Sequence, residues 1–204
     1  MSARVWQATI AAFLPALTAV GLARAAAPDT DPLSSYVTAI SAQLDPRVAQ
    51  TLVQLVGTDR QLLALRSYLR SAPHLAERWS WTQEQIEAFE GSPEQRDLQQ
   101  EIDRVRTAFV AANPGFEVYV NSQVRSLDVQ VEHWNSNESV KAAAEEILAA
   151  AQALLLSPGF AANRPEQAWE ALKAFLSGYR PVPAPTIAAP GLSLHGQMRA
   201  IDFQ

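Results

Sequence analysis

The sequence predicts an α+β fold that is predominantly helical. Three observations carry this reading. Apolar residues recur at spacings of three and four through most of residues 31–113, the same spacing returns after residue 126, and one short run between them alternates apolar and polar residues with the period of a strand.

Each element has its own signal. Asp45 followed by Pro46 is an N-cap with proline at the first helical position, ahead of Val48, Leu52, Val53 and Leu55. Thr58 is expected to cap the next run, in which Leu62, Leu63, Leu65, Tyr68 and Leu69 form one apolar stripe that ends at Pro73. Trp79 and Trp81, near His74, read as an aromatic packing cluster rather than a platform for sugar or peptide, because large aromatics dominate burial. Thr82 with Gln85 has the form of a capping box before Ile86 and Phe89. Ser92-Pro93 restarts a helix in which Leu98, Ile102, Val105 and Phe109 share a face, and the opposite side carries Glu, Gln, Asp and Arg as a solvated surface.

Asn113-Pro114-Gly115 breaks the helical pattern. Phe116, Val118 and Val120 then alternate with Glu117, Tyr119 and Asn121, the rhythm of a half-buried strand. Helical signals resume over Leu127–Trp134, Glu138–Leu156 and Pro165–Leu176. The four prolines between Pro181 and Pro190 make that segment an extended connector.

The N-terminus is of another kind. Arg4 supplies a positive start, Val5 to Leu22 is apolar apart from Gln7, Thr9 and Thr18, and both Ala23-Arg24-Ala25 and Ala25-Ala26-Ala27 offer small-x-small cleavage sites. Residues 1–27 therefore read as a signal peptide, which places the mature protein in the periplasm or another extracytoplasmic space. The alternative is an uncleaved anchor, the only route by which the chain would hold a membrane; Pro15 and the alanine-rich end favour cleavage.

The 204-residue chain carries 16 basic and 21 acidic side chains, and cleavage would remove two arginines and no acid. An acidic chain with no basic run lacks the counterion-releasing patch that nucleic acid requires. With no cysteine, disulfides, thiol nucleophiles and thiolate ligands are excluded, so chemistry rests on His, Asp, Glu, Ser or a metal.

Two segments stand out: Val120 to Gln130, where the strand pattern passes into a helix, and Ser193 to Asp202. His195 and Asp202 pair an imidazole with a carboxylate, a combination found in hydrolytic zinc sites. Seven residues apart, they would be separated by roughly 23 Å in a strand or roughly 10 Å along a helix, so sharing an ion requires the chain to double back. Gly196 permits such a turn, and Ala200-Ile201-Asp202-Phe203 then looks like a strand entering the core.

The order Ser193, His195, Ala200, Asp202 resembles the Ser-x-His-x-x-Gly-x-Ala-x-Asp motif of the zinc-dependent D-alanyl-D-alanine carboxypeptidases and dipeptidases of bacterial cell walls, which include the vancomycin-resistance dipeptidases. Met198 stands at the motif's glycine. Upstream, that family has a strand ending in Ser-Gly-Tyr-Arg-Ser followed by a helix with a glutamine. Ser122, Arg125, Ser126 and Gln130 match this pattern in order, with Gln123 and Val124 in place of Gly and Tyr. Ser177-Gly178-Tyr179-Arg180 spells the string more closely, but it sits at a helix end with no preceding strand.

The resemblance implies that His195 and Asp202 bind Zn2+, that Arg125 is catalytic through the developing oxyanion or the peptide's orientation, and that Ser122, Gln130 and Ser193 bind substrate, a peptidoglycan stem peptide. It also implies a third ligand and a catalytic carboxylate from a later Glu-x-x-His element, which these 204 residues do not contain; neither His133 nor His74 lies in such a motif. The expected organisation is a signal peptide over 1–27, a helical N-terminal region over 28–113, and over 114–204 the first part of a hedgehog-type zinc peptidase domain, C-terminally truncated or inactive. The rival expectation is a non-catalytic periplasmic helical adaptor or envelope-binding protein.

Overall fold

Short-range capping sets the start of most helices in the computed structural model, which describes residues 31–204. The signal peptide expected over 1–27 lies outside the described residues. Asp31 accepts the backbone N–H of Leu33 at the head of α1 (Pro32–Ser41), and Asp45 accepts that of Arg47 at the head of α2 (Pro46–Leu52). Helix α3 (Gly57–Ser71) begins before Thr58, with Val56 at its cap and no side-chain cap bond. Pro73 lies in a 3-10 turn (Ala72–His74) that passes into the single turn α4 (Leu75–Arg78). Thr82 and Gln85 form the reciprocal capping box of α5 (Gln83–Phe89), and Ser92 caps α6 (Pro93–Ala112).

After β1 (Val120–Asn121), Ser126 caps α7 (Leu127–Ser136) and Asn137 caps α8 (Glu138–Leu156). The short α9 (Pro158–Ala161) and α10 (Pro165–Gly178) follow, and β2 (Asp202–Phe203) closes the described chain. Among the described residues the fold is predominantly helical with one small antiparallel pair, Val120 opposite Phe203 and Asn121 opposite Asp202.

The alternating run from Phe116 thus yields a strand of only two residues. Its partner is equally short, and Phe116 and Tyr119 stay exposed. Reciprocal backbone bonds between Tyr119 and Gln204 prolong the pairing by one step. Residues 200–203 do not enter the core as expected; they run along the surface, and Phe203 is exposed.

Helix α3 is the centre of packing. Leu62, Leu63, Leu65 and Tyr68 are fully buried, and α3 lies against α1, α2, α8 and α10. Ala143, Ala144 and Ala151 on α8 are small enough to let that helix approach closely, with Val140 and Ile147 filling the remaining space. Each fully buried Leu or Ile contributes roughly 1.5–3 kcal/mol of transfer free energy, so this interface dominates stability. It also joins residues expected on either side of a boundary at 113/114: residues 31–204 form one compact unit. No described helix is long and apolar enough to cross a membrane.

Helix α2 is tied to the region of interest through charge and stacking. Asp45 pairs with Arg47 at 2.6 Å, and the Arg47 guanidinium lies 5.1 Å from the ring centre of Trp79. Trp79 is buried against Tyr68, with ring centres 5.7 Å apart, while Trp81 packs on Phe89. Hydrogen bonding to Arg47 lowers the Asp45 pKa from 3.8 to about 2. A carboxyl whose folded pKa lies below its unfolded one stabilises fully above the unfolded value and loses that contribution as pH falls through the folded value. The advantage of the wild type over Asp45→Asn in urea denaturation should therefore shrink by roughly 1–2 kcal/mol between about pH 5 and about pH 2, after allowance for solvent screening.

Candidate functional site

The chain from Ser193 to Asp202 doubles back in two steps. A 3-10 turn spans Leu194–Gln197, and Met198 then adopts the left-handed conformation, φ 53° and ψ 28°. The Arg199 N–H donates back to the Leu194 carbonyl at 3.0 Å, closing the reversal. His195 Nε2 comes to lie 3.5 Å from Asp202 Oδ1. Arg125, which follows β1, donates its guanidinium to the other carboxylate oxygen, Asp202 Oδ2. Its backbone N–H reaches the His195 carbonyl at 3.3 Å.

The conformational demands on this turn differ from those expected of its glycine. Gly196 is required by close approach rather than by torsion: a Cβ there would collide with Ser80 Oγ and stand 2.8 Å from Gln130 Nε2. The positive φ falls instead on Met198, the residue at the glycine position of the resembled motif. A left-handed conformation costs an L-residue with a Cβ roughly 1–2 kcal/mol, so this position suits glycine better than methionine.

Beneath the turn lies a buried polar knot. The Gln130 carboxamide, on α7, accepts the Gly191 N–H at 3.0 Å and donates to the Arg125 carbonyl at 2.7 Å and to Ser80 Oγ at 2.9 Å. Ser80 N–H donates to the Gly191 carbonyl and Trp81 N–H to the Gly196 carbonyl, each at 2.8 Å. Gln197 Nε2 donates to the Trp79 carbonyl at 2.6 Å. Residues 79–81 thus act as a bracket to which both the 191 and 196 loops are pinned.

The proline-rich connector is fixed in the same manner. Glu146 on α8 accepts the Tyr179 hydroxyl at 2.7 Å and the Val182 N–H at 2.8 Å, and Ser139 Oγ accepts the Thr186 N–H at 2.9 Å. Burial, reinforced by the bond to Glu146, pushes the Tyr179 hydroxyl pKa up to about 12. Tyr68, whose ionisation burial opposes, donates to the Pro190 carbonyl at 2.8 Å.

Together these elements enclose a cavity of about 480 Å³ walled by Arg125, His195, Asp202, Ser193, Arg78 and His133, with Thr186, Ile187 and Ala188 of the connector on its rim. Arg125, His195, Asp202 and Ser193 therefore converge. Gln130 touches the same cavity, but its carboxamide is engaged by protein partners, so it holds the site in place. Ser122 borders a different cavity, with Ile102, Arg106 and Tyr119. Arg180, from the closer match to the family string, does not line this cavity.

Sequence reasoning missed Ser80, the wall residue Arg78 and the approach of Thr186, because no spacing rule links them to His195. The one local hint was Trp79 and Trp81 flanking a serine. The arrangement can be compared with a metal site. Ligand atoms at roughly 2.0–2.2 Å from a tetrahedral ion lie roughly 3.3–3.6 Å apart, and His195 Nε2 and Asp202 Oδ1 match that edge, with Oδ2 held by Arg125 as an outer partner would hold it. The fit covers two positions: among the described residues no group of three or more His, Cys, Asp or Glu could hold a metal.

Substitutions at two positions probe this framework. Gln130→Ala should lower unfolding free energy by about 1–3 kcal/mol for each buried partner left unsatisfied, read by chemical denaturation. Met198→Gly should be neutral or stabilising by up to about 1 kcal/mol, whereas Met198→Val should cost about 1 kcal/mol or more, because a β-branched side chain tolerates positive φ least. Comparison of the chain with protein families, with curated proteins and with solved structures finds no match to any of the three.

Proposed function

We propose that the protein is an exported zinc-dependent peptidase of peptidoglycan stem peptides, similar to the D-Ala-D-Ala carboxypeptidases, and that residues 114–204 carry the first part of its hedgehog-type domain. The observation that carries this reading is the meeting of His195, Asp202 and Arg125 in one cavity from positions far apart in the chain. The left-handed backbone at the motif's glycine position adds to it.

On this reading His195 Nε2 and Asp202 Oδ1 would hold a zinc ion, which would supply Lewis-acid activation of the scissile carbonyl and of water. Arg125 fixes the orientation of Asp202 and presents its remaining N–H groups to a substrate carboxylate or developing oxyanion. Ser193, on the cavity wall, offers a hydroxyl to the peptide. The chemistry would still need a third ligand and a general base, which the resembled family takes from a Glu-x-x-His element that these 204 residues do not contain.

A non-catalytic envelope-binding role is the second reading. The ion pair of Arg125 with Asp202 favours it, because a guanidinium committed to a carboxylate can serve simply to pin β2 to the segment after β1. Titration of the full chain with Zn2+ in a calorimeter separates the two. Weak zinc binding is expected, because His195 and Asp202 supply only two of the three protein ligands of a catalytic site, with affinity at least about tenfold weaker still in His195→Ala and in Asp202→Asn. Unchanged zinc binding in His195→Ala would remove the ligand assignment and leave the second reading.

A further inference from the structure

Another cavity, of about 330 Å³, shares Arg78, Ala188 and Leu192 with the one that His195 lines. Arg66 and Arg70 from α3 and Arg78 from the end of α4 line it, together with Ser67 and Ser71. Arg180 stands close enough to act on Arg66: burial first, then the charges of Arg70 and Arg180, disfavour the Arg66 cation. None of these four arginines has a carboxylate within 4.0 Å among the described residues, whereas Arg47, Arg60, Arg104, Arg106 and Arg125 each pair with one. In a chain with five more acidic than basic side chains, this convergence of like charge runs against the overall balance.

Helix capping explains part of the arrangement. Arg66 Nε donates to the Tyr179 carbonyl at 2.6 Å and Arg70 Nη1 to the Ser177 carbonyl at 3.1 Å, so both satisfy carbonyls left open at the end of α10. Arg78 Nη1 reaches Ser71 Oγ at 3.3 Å. A guanidinium carries five N–H donors, and each of these contacts uses one. The same contacts orient the planar groups in advance and leave the paired Nη edges of Arg66 free for a second acceptor. Like-charged guanidiniums held together repel one another, and an anion between them relieves that repulsion while filling the unused donors.

We propose that the cavity bounded by Arg66, Arg70 and Arg78 binds a doubly charged oxyanion, a phosphate or a pair of carboxylates. Three guanidiniums around one pocket suit two negative charges better than one, and the serine hydroxyls supply neutral donors at its edge. Arg78 also walls the cavity of His195, so the anionic group is positioned to belong to a ligand that reaches both. The site itself requires no metal and stands apart from the zinc reading.

The test is calorimetric titration of the full chain, at low ionic strength because salt screens such sites, with inorganic phosphate in one arm and glutarate in the other. Saturable binding is expected in at least one arm, which identifies the source of the charge. Affinity should fall roughly tenfold or more in Arg70→Gln and in Arg66→Gln, through loss of charge-assisted hydrogen bonds, and stay unchanged in Arg106→Gln on α6 and in His195→Ala. Arg66→Gln also severs the bond to the Tyr179 carbonyl, so Arg70→Gln, whose side chain is more exposed, serves as the variant that keeps the fold. Absence of binding in both arms, or equal affinity in Arg70→Gln and wild type, would overturn the proposal. Loss of zinc binding in His195→Ala with phosphate or glutarate binding intact would separate the two sites.

Discussion

A primary carboxamide carries two donor hydrogens and an oxygen with two lone pairs, and burial deprives all of them of water. Gln130, 6 % exposed, satisfies them entirely with protein: Gly191 on one side, the Arg125 carbonyl on another, and Ser80 between. Those partners belong to three segments that no helix joins, so the position of His195 relative to Arg125 depends on this side chain as much as on the strand pairing. The apolar contacts around α3 supply most of the stabilising free energy but little direction. The directional bonds of the knot determine which loops meet, and where.

The same division explains what could be read from the sequence. Caps are local: Asp45 before Pro46, Thr82 with Gln85 and Ser92 before Pro93 each act within three residues, and each forms in the structure. The apolar stripe of α3 is equally visible, because burial on one face imposes its period on the residues. The reversal between residues 195 and 202 was expected only on the premise that His195 and Asp202 share an ion, and the chain does double back there. The strand at Phe116 was overextended because alternation signals a pleated, half-buried surface and cannot reveal that the partner offers only two residues. Ser80 and Arg78 were invisible, since their relation to the site spans 50 to 120 residues and leaves no periodic trace.

Glycine and methionine in the 193–202 turn show how torsion and space can be separated. At Gly196 the backbone torsion is ordinary and the neighbours leave no room for a methyl group. At Met198 the side chain is accommodated while the torsion is one that a Cβ disfavours. A motif glycine can serve either need, and reading which one applies requires knowing what stands opposite. Here the space is claimed by Ser80 and Gln130, so the turn and the knot constrain each other.

The contacts that build the cavity join residues 50, 61 and 77 positions apart, so each closes a long loop whose entropic cost the packing of α3 against α8 helps to offset. The arrangement of His195, Asp202 and Arg125 therefore depends on the folded chain as a whole. A chain that has not closed these loops carries the side chains but not the site.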